Sequence, residues 1–195
     1  MIHKNILLLF TFSLLLLNSC GNDTPKDKLN DIKKDASNFE DGVSSALAYN
    51  DGIISELALM DLKFMELNSY IENGPDENYP ETYAECVQEH KRIYDVVNKV
   101  APFGIGASDF KNAALDYLNA YGDFLDFLAP EKWDVMMDES SDEISELSLG
   151  FAEAYTQFEN ELNRLNDAQQ IFAKKNDFRI DDEEYDLEKI YEETK

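Results

Sequence analysis

Apolar residues recur along this chain at steps of three and four. From Phe39 the series runs Val43, Ala46, Asn50, Ile53, Leu57, Met60, Phe64, Leu67 and Ile71, alternating four and three throughout. A seam of that rhythm is one face of a long helix packed at the shallow angle of helical bundles, and it predicts a first helix from Ala36 to Asn73. Gly42 and Gly52 each weaken such a helix by up to ~1 kcal/mol against Ala, so packing must hold it. Asn73-Gly74-Pro75 supplies the stop. A second helix is expected from Asn78 to about Val100, with Pro80 in its first turn and Tyr83, Cys86, Val87, His90, Ile93, Tyr94, Val97 and Val100 facing inward. Residues 101–107 break the pattern. A third helix, capped by Ser108 or Asp109, runs to about Leu128 on Phe110, Ala114, Tyr117, Tyr121, Phe124 and Leu128, widened by Leu118 and Leu125.

The segment Glu131 to Asp138, which holds Trp133, reads as a connection folding its apolar residues over one end of the domain. Ser140 and Glu143 match a capping box. A fourth helix follows to about Lys174, with Phe151, Tyr155, Phe158, Leu162, Leu165 and Phe172 inward and Gln169 among them. No sustained period of two points to strands. The fold class is therefore all-α, an antiparallel up-down-up-down four-helix bundle over residues 36–176. Residues 20–35 are polar and read as a flexible tether, with a weak helix from about Lys26 through Leu29 and Ile32. Residues 177–195 form an acidic tail around Asp181-Asp182-Glu183-Glu184, in which Tyr185, Leu187, Ile190 and Tyr191 offer a short fifth helix or a docking segment.

Ahead of this pattern lies a different one. His3 and Lys4 place positive charge at the start, Ile6 to Leu17 is apolar apart from Thr11 and Ser13, and Leu17-Asn18-Ser19-Cys20 follows. A basic start, a short apolar middle and small residues before a cut make a secretory signal over residues 1–19, and a dozen apolar residues fall short of the ~20 that span a bilayer. The ending resembles the lipobox of bacterial lipoproteins. That resemblance implies that Cys20 is acylated, becomes the first residue of the mature chain and anchors the protein in a membrane, several acyl chains holding where one holds only marginally. Residue 21 is Gly rather than Asp, which carries no inner-membrane retention signal. The implied location is the cell envelope, at the outer rather than the inner membrane, facing the periplasm or the cell surface.

The chain has 195 residues and a formal charge of -24. Removing residues 1–19 leaves 195 − 19 = 176 residues and takes away Lys4 and no acid, so the charge becomes -25. That length suits one domain with a proper core. That charge argues against nucleic acid and against lying flat on an anionic bilayer, and it favours cations or a basic partner. With Cys20 lipidated, Cys86 has no partner for a disulfide and is expected to be buried.

Catalytic motifs are missing. His90 is the single histidine after the signal. There is no pair of Glu-x-x-His motifs, no His-Glu-x-x-His, no Cys-x-x-Cys-His, no Gly-x-Ser-x-Gly elbow, no phosphate-binding glycine loop and no EF-hand loop, and no cofactor is implied. Cys86 and His90, four apart, could offer two ligands to a soft metal, but the simpler reading is a buried thiol beside a hydrogen-bonded histidine. Asn50 interrupts the first seam and needs a buried partner, His90 or a tyrosine. The functional expectation is a non-enzymatic, membrane-anchored envelope lipoprotein acting as a binding or assembly module for an envelope protein or basic partner. The alternative is a small-ligand or metal-binding protein with a polar pocket built from Asn50, Cys86, His90, Tyr94 and Tyr121. An acid-pair enzyme of the glycosidase kind ranks last, because nothing in the sequence places two carboxylates in a cleft.

Overall fold

A computed structural model of the chain describes residues 24–74, 76–137, 144–180 and 187–194, and among these every regular element is a helix. In chain order they are α1 Pro25–Asp41, α2 Ala46–Asn73, α3 Tyr79–Lys99, α4 Ala107–Phe127, α5 Pro130–Met137, α6 Ile144–Lys175 and α7 Leu187–Thr194.

The first expected helix is two. Gly42 takes φ 130, a backbone state that costs only glycine little, and the Ser45 hydroxyl accepts from the Ala48 N–H at 3.0 Å to start a new helix. The seam survives from Asn50 to Leu67, where each member is buried, but Phe39 belongs to another helix that folds back alongside. Its ring lies on Gly52, where a Cβ would come within 2.4 Å of it. Gly52 is thus the seat that lets α1 dock, and the helix propensity lost there is recovered as packing.

Of the expected tether over residues 20–35, the described part is the helix anticipated from about Lys26, packed rather than flexible, and residues 20–23 lie outside the described residues. Thr24 and Asp27 form a reciprocal capping box, with Pro25 in the first turn, and Ile32 and Ala36 are buried. The polar look of α1 conceals one apolar face.

Packing against both sides makes α2 the centre of the fold. From Gly52 through Asp61 it is buried throughout except for the half-buried Leu59. A helix enclosed on all sides must be covered on all sides. On one side it meets α3, with lesser contacts to α4 and α6; on the other it is covered by α1 and α7. The tightest pairing is α4 on α6. There Tyr117, Tyr121 and Phe124 interlock with Phe151, Tyr155 and Phe158 at centroid distances of 5.2 to 5.9 Å.

Two smaller expectations change. Helix α4 starts at Ala107 behind Gly106 at φ 82, with no side-chain cap from Ser108 or Asp109. The connection after Leu128 is itself helical, and Trp133 on it is buried. The short C-terminal helix expected on Leu187, Ile190 and Tyr191 is present as α7, which packs Leu187 and Ile190 into the core against α1 and α2. The capping box at residues 140–143 lies outside the described residues.

Candidate functional site

Two polar constellations flank α2. The outer one lines an open groove of about 700 Å³ between α1, α2, α3 and α7, floored by Leu29, Leu59 and Leu62. Lys33 lines it, and its ion pairs are organised around Arg92 and Lys63. Arg92 on α3 forks onto Glu56, with Nη2 2.6 Å from Oε2 and Nη1 3.4 Å from Oε1. The same guanidinium holds both oxygens of Glu89 at 2.9 and 3.0 Å and reaches Glu40 on α1 at 3.0 Å. Lys63 bridges Glu66 at 2.6 Å and Glu85. Glu56 is fully enclosed, and burial raises its carboxyl pKa while Arg92 pulls it back. The hydrogen bonds that Arg92 donates to Glu89, then those it donates to Glu56, raise its pKa despite its partial burial. Burial works against the charge on Lys63, and its two carboxylates more than offset it.

The inner constellation is drier. Asp61 on α2 is 2 % exposed, and burial holds its carboxyl pKa far above the usual range. The contact of the Tyr117 hydroxyl lowers it, a smaller effect, and the geometry stops short of a formed hydrogen bond. Neither Asp61 oxygen nor the hydroxyls of Tyr117 and Tyr121 has a hydrogen-bond partner. Desolvation drives both phenols well above their ordinary pKa, and the nearby Asp61 adds to it. Cys86 is a fully buried free thiol that burial pushes up to about 12. So burial disfavours the charged form of every group in the cluster, one carboxyl, two phenols and a thiol.

His90 borders this cluster. Its Nε2–H donates to the Leu118 carbonyl at 2.7 Å, and its ring stacks 6.1 Å from that of Tyr121. Gly122 makes room for it, since a Cβ there would lie 2.9 Å from Cε1.

Of the residues expected to form a pocket, the fold brings Cys86, His90 and Tyr121 together. It leaves Asn50 out. Glu56 faces Arg92 and Lys63 faces Glu85, so Asn50 lies level with the end of α3, about eight residues or ~12 Å along α2 from the level of His90. Its partner is neither His90 nor a tyrosine but Gln169 on α6, whose Nε2 donates to Asn50 Oδ1 at 3.0 Å. Asn50 Nδ2 in turn donates to Asp51 at 3.1 Å, and burial lifts the Asp51 carboxyl to about 6. Tyr94 is half-buried at the edge of the core. Cys20 lies outside the described residues. Among the described residues no three or more of His, Cys, Asp and Glu are grouped closely enough to hold a metal ion.

Sequence reasoning passed over Asp61, Glu56 and Arg92. A signal was present: between Gly52 and Leu62 only Glu56 and Asp61 carry charge in a run apolar on every side, the mark of a helix enclosed all round. No protein family, curated protein or solved structure matches the chain in the comparisons made with each. No helix among the described residues is long and apolar enough to cross a membrane.

Proposed function

We propose that the chain is a lipid-anchored envelope protein whose helical domain works by binding rather than by catalysis. The observation that carries this reading is the sequence Leu17-Asn18-Ser19-Cys20 followed, within five residues, by the packed helix α1. A cysteine so close to the domain would hold it near the lipid surface, because the four residues from Gly21 to Thr24 extend at most about 14 Å. The groove is the binding face in this reading. Lys63 and Arg92 are each shared by two or three carboxylates, and with Glu40 and Glu56 counted the acids outnumber the bases Lys33, Lys63 and Arg92, which suits a basic segment of an envelope partner. The domain behind it is an antiparallel up-down-up-down bundle of α2, α3, α4 and α6. In its support, Tyr79 at the start of α3 donates to the carbonyl of Leu128 after α4, Lys111 early in α4 reaches Asn98 late in α3, and Phe172 late in α6 stacks on Phe110 early in α4.

Mass spectrometry of the native product tests the anchor. A diacylglyceryl thioether on Cys20, with the protein partitioning into detergent, is the expected result. An unmodified thiol on soluble material would sink it.

A second reading keeps the inner cluster as a site for a small polar ligand, favoured by the unpartnered hydroxyls of Tyr117 and Tyr121 around Asp61. Asn50 has no place in it.

A further inference from the structure

The groove carries its acid at two poles. Glu66 and Glu85 close on Lys63 at one, and Glu40, Glu56 and Glu89 close on Arg92 at the other. At each pole the carboxylates outnumber the cation they surround, and neither pole is sealed. Lys63 takes only Oε2 of Glu66 and of Glu85, whose side chains are 43 % and 53 % exposed, so the second oxygen of each carboxylate stays open to an incoming cation. At the other pole Glu40 gives Arg92 one oxygen and is 51 % exposed.

Two helices set the distance between the poles. Glu56 and Lys63 are seven residues apart on α2, and Glu85 and Arg92 are seven apart on α3. Seven residues of helix rise about 10 Å. Leu59 and Leu62 lie between the poles, half-buried on the groove floor. Lys33 stands at the same height. It lies six residues back from Phe39, whose ring rests on Gly52, and α1 runs antiparallel to α2, so Lys33 comes level with the residues just before Leu59. From end to end the groove therefore reads acid, then leucines beside one lysine, then acid.

We infer that the groove receives an amphipathic helix of the partner that bears cations at positions i and i+7 and apolar side chains at i+3 and i+4. This rests on the groove being the binding face, and it does not depend on Cys20. Those four positions share one helical face, and the two cations stand about 10 Å apart along it, the distance between the poles. Each cation meets a pole with an open carboxylate oxygen. With Lys33 counted, the groove has five carboxylates to three cations, so two more cations neutralise it. The apolar pair settles on Leu59 and Leu62, and Lys33 repels a cation placed midway. A second copy of the chain, with its net charge of -24, is repelled as a whole.

Two fluorescein-labelled helical peptides of identical composition, built on alanine and glutamine, test the spacing against the full chain by fluorescence anisotropy. The matched peptide has lysines at i and i+7 and leucines at i+3 and i+4. In the exchanged peptide the leucines stand outside and the lysines inside, with the same face and the same charge. The matched peptide is expected to bind at least about tenfold more tightly, and Glu66→Gln with Glu85→Gln should remove most of that advantage. Should the double variant fail to fold by circular dichroism, Glu85→Gln alone takes its place and should reduce the advantage at least about threefold. Equal binding of the two peptides, or an advantage that the variants leave intact, overturns the inference while the groove stands as a general site for basic segments. Binding of neither peptide removes the groove as the binding face and the inference with it. A dimer in sedimentation that the matched peptide disperses would give the groove to a second copy, and that too overturns the inference.

Discussion

Glu56 and Asp61 stand five residues apart on α2, both closed off from water, and the fold treats them in opposite ways. Five residues turn a helix by about 140° beyond one full turn, so the two carboxyls leave on different sides. Glu56 points to the groove and meets a guanidinium that also binds Glu40 and Glu89. Asp61 points inward and meets phenols and a thiol. Burial alone therefore does not decide what a carboxyl becomes; the presence of a cation within reach does. On one side of α2 the acid belongs to an ion network tying three helices, and on the other burial without a cation favours its neutral form.

The largest effect should come from removing the inner acid. A carboxyl whose pKa is higher in the folded than in the unfolded chain binds more protons when folded. The stability it contributes is full below the ordinary carboxyl range and declines as pH rises toward the folded pKa, by about 1.4 kcal/mol per pH unit. Asp61→Asn lacks this slope, so urea unfolding at pH 4, 5, 6 and 7 should show the variant gaining on the parent at each step. Asp51 titrates with the same sign in both proteins and cancels. Parallel curves would mean that Asp61 is already ionised in the fold.

Breaking the outer arrangement should cost less. Arg92→Met strands Glu56 and is expected to lose about 2–3 kcal/mol at pH 7, below the 3–5 typical of a fully buried pair because a third of Arg92 is exposed. Near pH 4.5 Glu56 can take up a proton, and the loss should shrink. A loss independent of pH would assign the damage to packing of the arginine stem instead.

The smallest change is the sharpest on geometry. Tyr117→Phe deletes a hydroxyl that has no hydrogen-bond partner, so chemical denaturation should show a shift within about 1 kcal/mol, toward greater stability. Destabilisation beyond that would show that the phenol and the Asp61 carboxyl do bond.

Local patterns carried much of this architecture. The seam from Asn50 to Leu67, the burial of Cys86, the inward residues of α4 and α6 and the apolar points of α7 all follow from spacing, because each reports only on its own helix. What spacing could not reveal was which faces find a second cover. Asp61 sits beside Met60 and is enclosed because Cys86 of α3 and Tyr117 and Tyr121 of α4 close over it, while the outer side, which looked free for water at Glu56, is covered because α1 and α7 return from distant parts of the chain. The break at Gly42 was hidden for a related reason. Phe39 and Val43 kept step with the seam by coincidence, and only the contact of Phe39 with Gly52 shows that the chain has doubled back. The candidate site was half legible: Cys86, His90 and Tyr121 came from one-face arguments, whereas the pairing of Asn50 with Gln169 spans 119 residues and leaves no local trace.

The seating of α7 on α1 and α2 also sets a schedule for biogenesis. A ribosome must deliver residue 190 before Ile190 can cover helices made roughly 150 residues earlier. Until then the apolar residues of α1 and α2 on that flank lack their cover, which favours chaperone holding over premature collapse.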